Sequence, residues 1–269
     1  MLSDITLGQY LPGNSAVHRL DPRTKLFLMI VYIVGIFLVE KIAAFLIVAA
    51  FIVAVTMIAK IPVSYLLKAL KPLRLILPIM FLFNLFLVKT GNLMLHWWIF
   101  KIYDDGLENA VFIVFRLATL VVGTSLLTLT TTPISLTDGL ERILSPLKVV
   151  KFPVHELAMM MTIALRFIPT LIEEADKIQK AQLARGADFE SGNIIKRAKA
   201  MLPVLIPLIV NSFRHASELA MAMESRCYHG GAGRTRMRVL KFRWSDLAAV
   251  AVMALLIAAL VLSQKYLFV

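Results

Sequence analysis

Five runs of apolar residues stand out along the chain: Leu26–Val39, Ile42–Ala59, Leu75–Val88, Leu107–Thr130 and Leu247–Leu262. A helix needs about 20 apolar residues to cross the roughly 30 Å core of a bilayer. The first and third runs are short by that rule. They reach across only if Lys25, Lys41, Arg74 and Lys89 extend their charged ends toward the interface or if the bilayer thins locally. Glu40-Lys41 reads as the tip of a tight helical hairpin. Between the fourth and fifth runs the pattern turns periodic. Thr132-Pro133 supplies an N-cap and a first-turn proline for a short amphipathic helix to about Leu147. Pro153 opens a second predicted helix that runs to Arg185. Its first half, Leu157–Ile172, is almost wholly apolar. Its second half carries Leu171, Ala175, Ile178 and Gln182 on one face, with Glu173/Lys177 and Asp176/Lys180 as i,i+4 pairs on the other. A third helix is predicted from about Leu202 to Arg226, kinked near its start by Pro207. Its stripe is Leu202, Leu205, Ile209, Phe213, Ala216, Ala220 and Met223. The second and third helices are apolar at the N-terminal end and polar at the C-terminal end. That is the pattern of a helix that starts at membrane level and projects its end into the cytoplasm. Arg166, Pro169 and the charged second halves count against a straight crossing.

Composition places most of this in lipid. The chain is 59% apolar and 17% charged, against about 45–50% and about 25% in soluble proteins. A single cysteine, Cys227, excludes a disulfide scaffold. The first 25 residues are polar and turn-rich, without the early apolar stretch of a secretory signal, so the first run reads as a retained span. The net charge is +12, and its placement is uneven. Segments 1–25, 60–74 and 131–245 hold 3, 4 and 17 basic residues, 24 of the 29 in the chain. The positive-inside rule puts these segments in the cytoplasm and the C-terminus outside. The expectation is an all-α, polytopic protein of the plasma membrane with its N-terminus in the cytoplasm and about five transmembrane helices. It divides into a four-span bundle (1–130), a cytoplasmic coupling module of three helices (131–245) and a last span (246–269). Membrane lipid accounts for the basic excess better than nucleic acid does, because the bases flank spans rather than cover a soluble domain. The cluster Arg234–Arg243 reads as an anionic-lipid contact before the last span.

Few residues point to chemistry. Gly230-Gly-Ala-Gly-Arg-Thr235 lacks both the Gly-Lys-Ser/Thr ending and the upstream strand of a phosphate loop. Cys227 and His229 give two metal ligands without a third, and His18, His96, His155 and His215 have no ligand spacing. Asp104-Asp105 reads as a loop turn and N-cap. Arg116 lies inside a span, where its simplest role is a buried pairing with a helix carbonyl or an acid. Glu173, Glu174 and Asp176 alternate with lysines, as a solvated face does. No catalytic residue, metal ligand or resident cofactor is therefore expected. An intramembrane lipid or prenyl transferase would need clustered carboxylates at membrane depth. A self-contained secondary transporter would show internal repeats. Both remain as alternatives.

The two long helices end alike, in Ala184-Arg185-Gly186 and Ser225-Arg226-Cys227. One such tripeptide is an ordinary helix end, with a cation in the last turn and glycine just past it. Two of them, 41 residues apart and each closing a long helix, suggest a paired docking device that offers guanidinium forks to carboxylates. At these residues the whole chain resembles the transmembrane T component (EcfT) of energy-coupling factor transporters, ABC-type importers of vitamins and trace metals. The resemblance also rests on Tyr10–Lys25, Thr131-Thr132-Pro133 and Arg166-Phe-Ile-Pro169. It departs at Ser225 and Cys227, where the family has alanine and glycine. It implies a non-catalytic subunit whose coupling helices bind two ABC-type ATPase subunits, through Ala184, Arg185, Gly186, Ser225, Arg226 and Cys227. ATP and Mg would be bound by those ATPases. It also implies that one small substrate-binding membrane protein, the S component, packs on the apolar face. Met159, Met160, Leu205, Ile209, Phe213, Ala216 and Ala220 are the candidates for that contact, since methionine-rich surfaces adapt to varied partners.

Overall fold

The computed structural model describes residues 10–88, 90, 93–97, 100–189, 191, 193–230 and 240–266. The expectations for Lys89, for most of the glycine stretch and for Arg234, Arg236 and Arg238 fall outside the described residues. The chain divides into two compact units, one within 8–140 and 240–269 and the other within 141–239. Each is described by itself.

In the first unit the five apolar runs are helical. They are α1 (Pro22–Phe37), α2 (Ala44–Ala59), α4 (Ile76–Leu87), α5 (Asp104–Thr130) and α9 (Trp244–Tyr266). Segment 60–74, read from its charges as a loop, is helical instead. It forms α3 (Val63–Leu70) and a 3-10 turn (Lys71–Arg74), and this pair is bent by 56° against α4. Its bases alternate with Val63, Leu66, Leu67 and Leu70, so charge counting hid an amphipathic helix. Among the described residues the fold is all-α as expected, apart from a short antiparallel hairpin of β1 (Leu93–Trp97) and β2 (Phe100–Tyr103), with Trp97 opposite Phe100 and His96 opposite Lys101. Trp97 at the end of β1, and Phe100, Ile102 and Tyr103 along β2, are of the types a pleated strand favours. Both α1 and α2 have 16 residues, or about 24 Å at about 1.5 Å per residue. That is shorter than a full crossing. By length and composition, α5 and the Trp244–Gln264 part of α9 are long enough to cross a membrane, and so is α7 (Val154–Ala184) of the second unit; the bent pair makes a fourth if it counts as one span.

The core of this unit is Tyr32 and Ile36 of α1, Val48 and Ile52 of α2, Leu126 and Leu129 of α5, and Met253, Leu256 and Leu260 of α9. Polar groups fix its register. The Tyr32 hydroxyl donates to the Thr119 carbonyl at 2.7 Å. A Cβ at Gly123 would stand 2.2 Å from the Tyr32 ring, so that ring needs the bare backbone of α5 beside it. Arg116 pairs with a carbonyl, as its simplest reading has it, but it is half-buried and the carbonyl is not a helical one. Its guanidinium donates to the Val39 carbonyl at 2.6 Å, just past the end of α1, and lies 4.4 Å from the centre of the Phe112 ring. The Gln264 side chain donates to the Leu38 carbonyl. Two carbonyls just past the end of α1 are thus satisfied by side chains of α5 and α9.

At the opposite end, α1 and α9 begin side by side. Asp21 is the N-cap of α1, accepting the Arg23 N–H at 2.9 Å. The Asp246 carboxylate is buried and accepts the backbone N–H of Asp21 at 2.8 Å and of Arg243 at 2.7 Å. Lys25 is buried next to it and donates to the Thr130 carbonyl at 2.9 Å and the Thr131 hydroxyl at 3.0 Å, at the end of α5. Three helices are clasped by three charged side chains. Removing a buried acceptor strands its donors, at about 1–3 kcal/mol each. Asp246→Ala is therefore expected to lower the thermal unfolding midpoint of the purified chain. Asp246→Asn, which retains one acceptor oxygen, is expected to lower it less. Equal midpoints for all three forms would show that the clasp contributes nothing.

Candidate functional site

α6 (Pro133–Ile143) begins as predicted. Thr132 accepts the Ser135 N–H at its hydroxyl, and Pro133 opens the first turn. The helix stops at Ile143, short of the predicted Leu147, and Pro146 sits in a 3-10 turn over Ser145–Val150. In the second unit, His155 near the start of α7 lies 3.1 Å from the buried carboxylate of Glu141.

Two long helices form the site, α7 (Val154–Ala184) and α8 (Ile194–Ser225). α8 starts eight residues before the predicted Leu202. Lys196, Arg197 and Lys199 are good helix formers, and the prolines after them do not end the helix. Pro207 has no N–H to offer the Pro203 carbonyl one turn back. The Gln182 side chain of α7 approaches that carbonyl at 3.5 Å and stands in for the missing donor. Farther along, Asn211 donates to Glu174 at 2.5 Å, and the Phe167 and His215 rings lie 6.3 Å apart. As numbers rise on α7 through 167, 174 and 182, their partners on α8 fall through 215, 211 and 203. The helices are antiparallel.

The two helices therefore do not both project the same way from membrane level, and the register decides where Arg185 and Arg226 lie. In the antiparallel pair they stand at opposite ends, about 40 Å apart along the axis at about 1.5 Å per residue. Each is exposed, and among the described residues neither has an ion-pair partner.

The two helix ends have the same backbone. After α7, Gly186 donates to Leu183 at 2.9 Å and Ala187 to Gln182 at 3.0 Å. After α8, Cys227 donates to Glu224 at 2.9 Å and Tyr228 to Met223 at 3.0 Å. Both are Schellman caps. Gly186 has φ +86° and Cys227 φ +56°, so the cysteine holds the left-handed turn that the glycine holds at the other end. The departure at Cys227 changes the side chain and leaves the fold of the tip intact.

The apolar candidates fall mostly on an uncovered face. Exposure is 53% at Met160, 49% at Leu205, 45% at Ile209 and 71% at Phe213. Ala216 and Ala220 are also exposed, and Met159 is half-buried. The side of α8 turned to α7 is the neighbouring stripe of Val204, Leu208, Asn211, His215, Leu219 and Met223, all partly covered. Of the predicted stripe, Met223 belongs to this inner side. Sequence reasoning missed the polar contacts that set the register. Gln182 on an otherwise apolar face, and prolines one turn apart at 203 and 207, were the signals available. Among the described residues no group of His, Cys, Asp and Glu could hold a metal ion.

Residues 13–239 match the family of cobalt transport proteins, CbiQ. The chain is 51% identical over 263 residues to the energy-coupling factor transporter transmembrane protein EcfT of Thermosediminibacter oceani, covering 98% of this chain and 99% of the relative. It belongs to the CbiQ/EcfT family. The EcfT protein of Clostridium kluyveri is 49% identical over 265 residues, with 98% of both chains covered. That of Bacillus subtilis is 46% identical over 260 residues, with 97% of this chain and 98% of the relative covered. The chain is thus an energy-coupling factor T component, a transmembrane part of a transporter, and the family match takes in both arginine tips.

The caps generate a pair of opposite expectations. A non-glycine residue in the left-handed region costs about 1 kcal/mol. Cys227→Gly is expected to slow hydrogen exchange in the last turn of α8, and Gly186→Ala to speed it in the last turn of α7. Changes of the same sign at both ends would contradict the shared cap.

Proposed function

We propose that this T component couples two ABC-type ATPase subunits to an S component, and that Arg185 and Arg226 are its two points of attachment to the ATPases. The observation that carries this reading is the pair of exposed arginines on matching caps at opposite ends of one antiparallel helix pair. A capped helix end holds the guanidinium on a stiff rod, which suits bidentate pairing with carboxylates in a groove. Docks about 40 Å apart, by the rise of about 1.5 Å per residue, fit two separate subunits better than one. ATP and Mg belong to the ATPases in this scheme, and the T component does no chemistry. As the ATPases close and open, each moves one end of the pair. The exposed face of Met160, Leu205, Ile209, Phe213, Ala216 and Ala220 receives the S component and passes the motion to it. The S component reorients in the membrane and releases a vitamin or trace metal inside. Segment 131–245 lies in the cytoplasm in this reading, together with the N-terminus.

Breaking a buried ion pair by removing one partner costs about 3–5 kcal/mol, and reversing a charge costs at least as much. Arg185→Glu together with Arg226→Glu is expected to leave the chain in the membrane at normal abundance while abolishing co-purification of the ATPases and uptake. Each single reversal should be milder, since one dock remains. ATPase retention in the double variant equal to wild type would reduce both residues to ordinary helix caps.

The apolar face has its own test. Met160→Asp and Ala220→Asp should release the S component and cut uptake while the ATPases stay bound. Unchanged S-component retention in both variants would mean that the face meets something else.

A further inference from the structure

A cleft of about 340 Å³ opens among α1, α2, α5, α9 and the segment before α1. Its walls include Leu28, Met29, Phe51, Val55, Ala249 and Met253. Such a volume would hold on the order of ten waters at about 30 Å³ each, but a buried water needs 2–4 polar partners. The cleft offers almost none. Of its polar side chains, the Tyr32 hydroxyl is committed to the Thr119 carbonyl. The Thr130 hydroxyl is committed to the Leu126 carbonyl. Lys25 is committed to Thr130, Thr131 and, at 3.4 Å, the His18 carbonyl. A roomy, half-open space whose interior side chains are almost all apolar, with the Tyr32, Thr130 and Lys25 groups already engaged, is a site for hydrocarbon.

One end of the cleft is different. Leu20, Lys25 and Ser245 line it there, at the paired starts of α1 and α9. Arg19, Lys241 and Arg243, next to those residues in the chain, are exposed. The Arg23 guanidinium sits 5.6 Å from the centre of the Phe242 ring. Against these bases stand Asp21 and Asp246, both buried and engaged with backbone N–H groups. The mouth is cationic and the interior is apolar.

We propose that this cleft holds one acyl chain of an anionic phospholipid, with the phosphate at Arg19 and Arg243 and the chain running between α1 and α9 toward Tyr32. The site makes a lipid part of the bundle rather than its solvent. The contact does not depend on either arginine tip.

The test uses the full chain in vesicles, with phosphatidylglycerol or phosphatidylcholine carrying a photoactivatable diazirine at mid-chain. Adducts on Met29, Val55 and Met253 are expected to exceed those on the outward-facing Leu46 and Leu255 several-fold. Phosphatidylglycerol should label the cleft several-fold more than phosphatidylcholine, and Arg19→Gln with Arg243→Gln should erase that difference. Ala249→Phe, which fills the cleft, should remove the enrichment at unchanged membrane abundance. If that variant fails to accumulate, competition by unlabelled phosphatidylglycerol against wild-type labelling takes its place, and a fall in cleft adducts alone is the supporting result. Even labelling of cleft and outer positions, or enrichment that survives filling or competition, overturns the site. Equal labelling by the two lipids overturns the anionic headgroup. Cleft labelling that appears only when co-purifying membrane proteins are stripped away overturns the lipid as occupant and assigns the space to a partner's side chains.

Discussion

The contact between α7 and α8 is the constraint from which the rest of the site follows. Once the two helices run antiparallel in register, the arginines must lie at opposite ends and the apolar stripe of α8 must divide. One side, through Leu208, His215 and Leu219, goes to α7, and the other, through Leu205, Ile209 and Phe213, is left open. The register itself rests on few polar contacts. Glu174 with Asn211 is the strongest of them, because a half-buried carboxylate away from its amide partner loses a charge-assisted hydrogen bond in a poorly hydrated place. Apolar packing alone would tolerate a slip of one turn, whereas that pair does not.

In the first unit the corresponding role falls to the clasp of Lys25, Asp21 and Asp246. The stretch Leu20-Asp-Pro-Arg-Thr-Lys25 was legible in the sequence as a family mark but was read as a turn-rich lead-in, whereas α1 starts within it at Pro22. Its physical purpose was not legible, because its partner carboxylate lies 225 residues away in the chain. A charge count treats Arg23 and Lys25 as topology signals. Lys25 is in fact buried and binds the end of α5, and Asp246 closes the set.

What the sequence disclosed divides along similar lines. Apolar runs are read reliably because burial in lipid demands uniform composition, and α2, α4, α5 and α9 lie close to where composition put them. Capped ends were also legible, since Thr132-Pro133 and Arg185-Gly186 act over a few bonds. Amphipathic pieces with many bases were missed, as α3 and the first turns of α8 show, because period and charge gave opposite readings and charge was preferred. The β1–β2 hairpin was missed because nine strand residues carry no periodicity that separates them from a loop between spans. The relative direction of α7 and α8 was not read, since Gln182 and the prolines at 203 and 207 mark a contact only once it is known which faces of the two helices meet.

The prolines of the pair have a mechanical consequence. A helix bends most easily where a backbone hydrogen bond is missing, and α7 has that weakness at Pro169 while α8 has it at Pro203 and Pro207. The register sets Pro169 against an unbroken stretch of α8 and Pro207 against the body of α7, while Pro203 meets the last turn of α7. Pro169 lies beside the neighbourhood of His215, and Pro203 lies beside Gln182. At Pro169 and Pro207 each helix therefore splints the other, like two planks laid with their joints staggered. Flexing the pair at one joint means bending sound helix alongside it. A load applied at one tip is carried through the beam with little lost to bending, and the same two helices, peeled apart, would each fold at a known place.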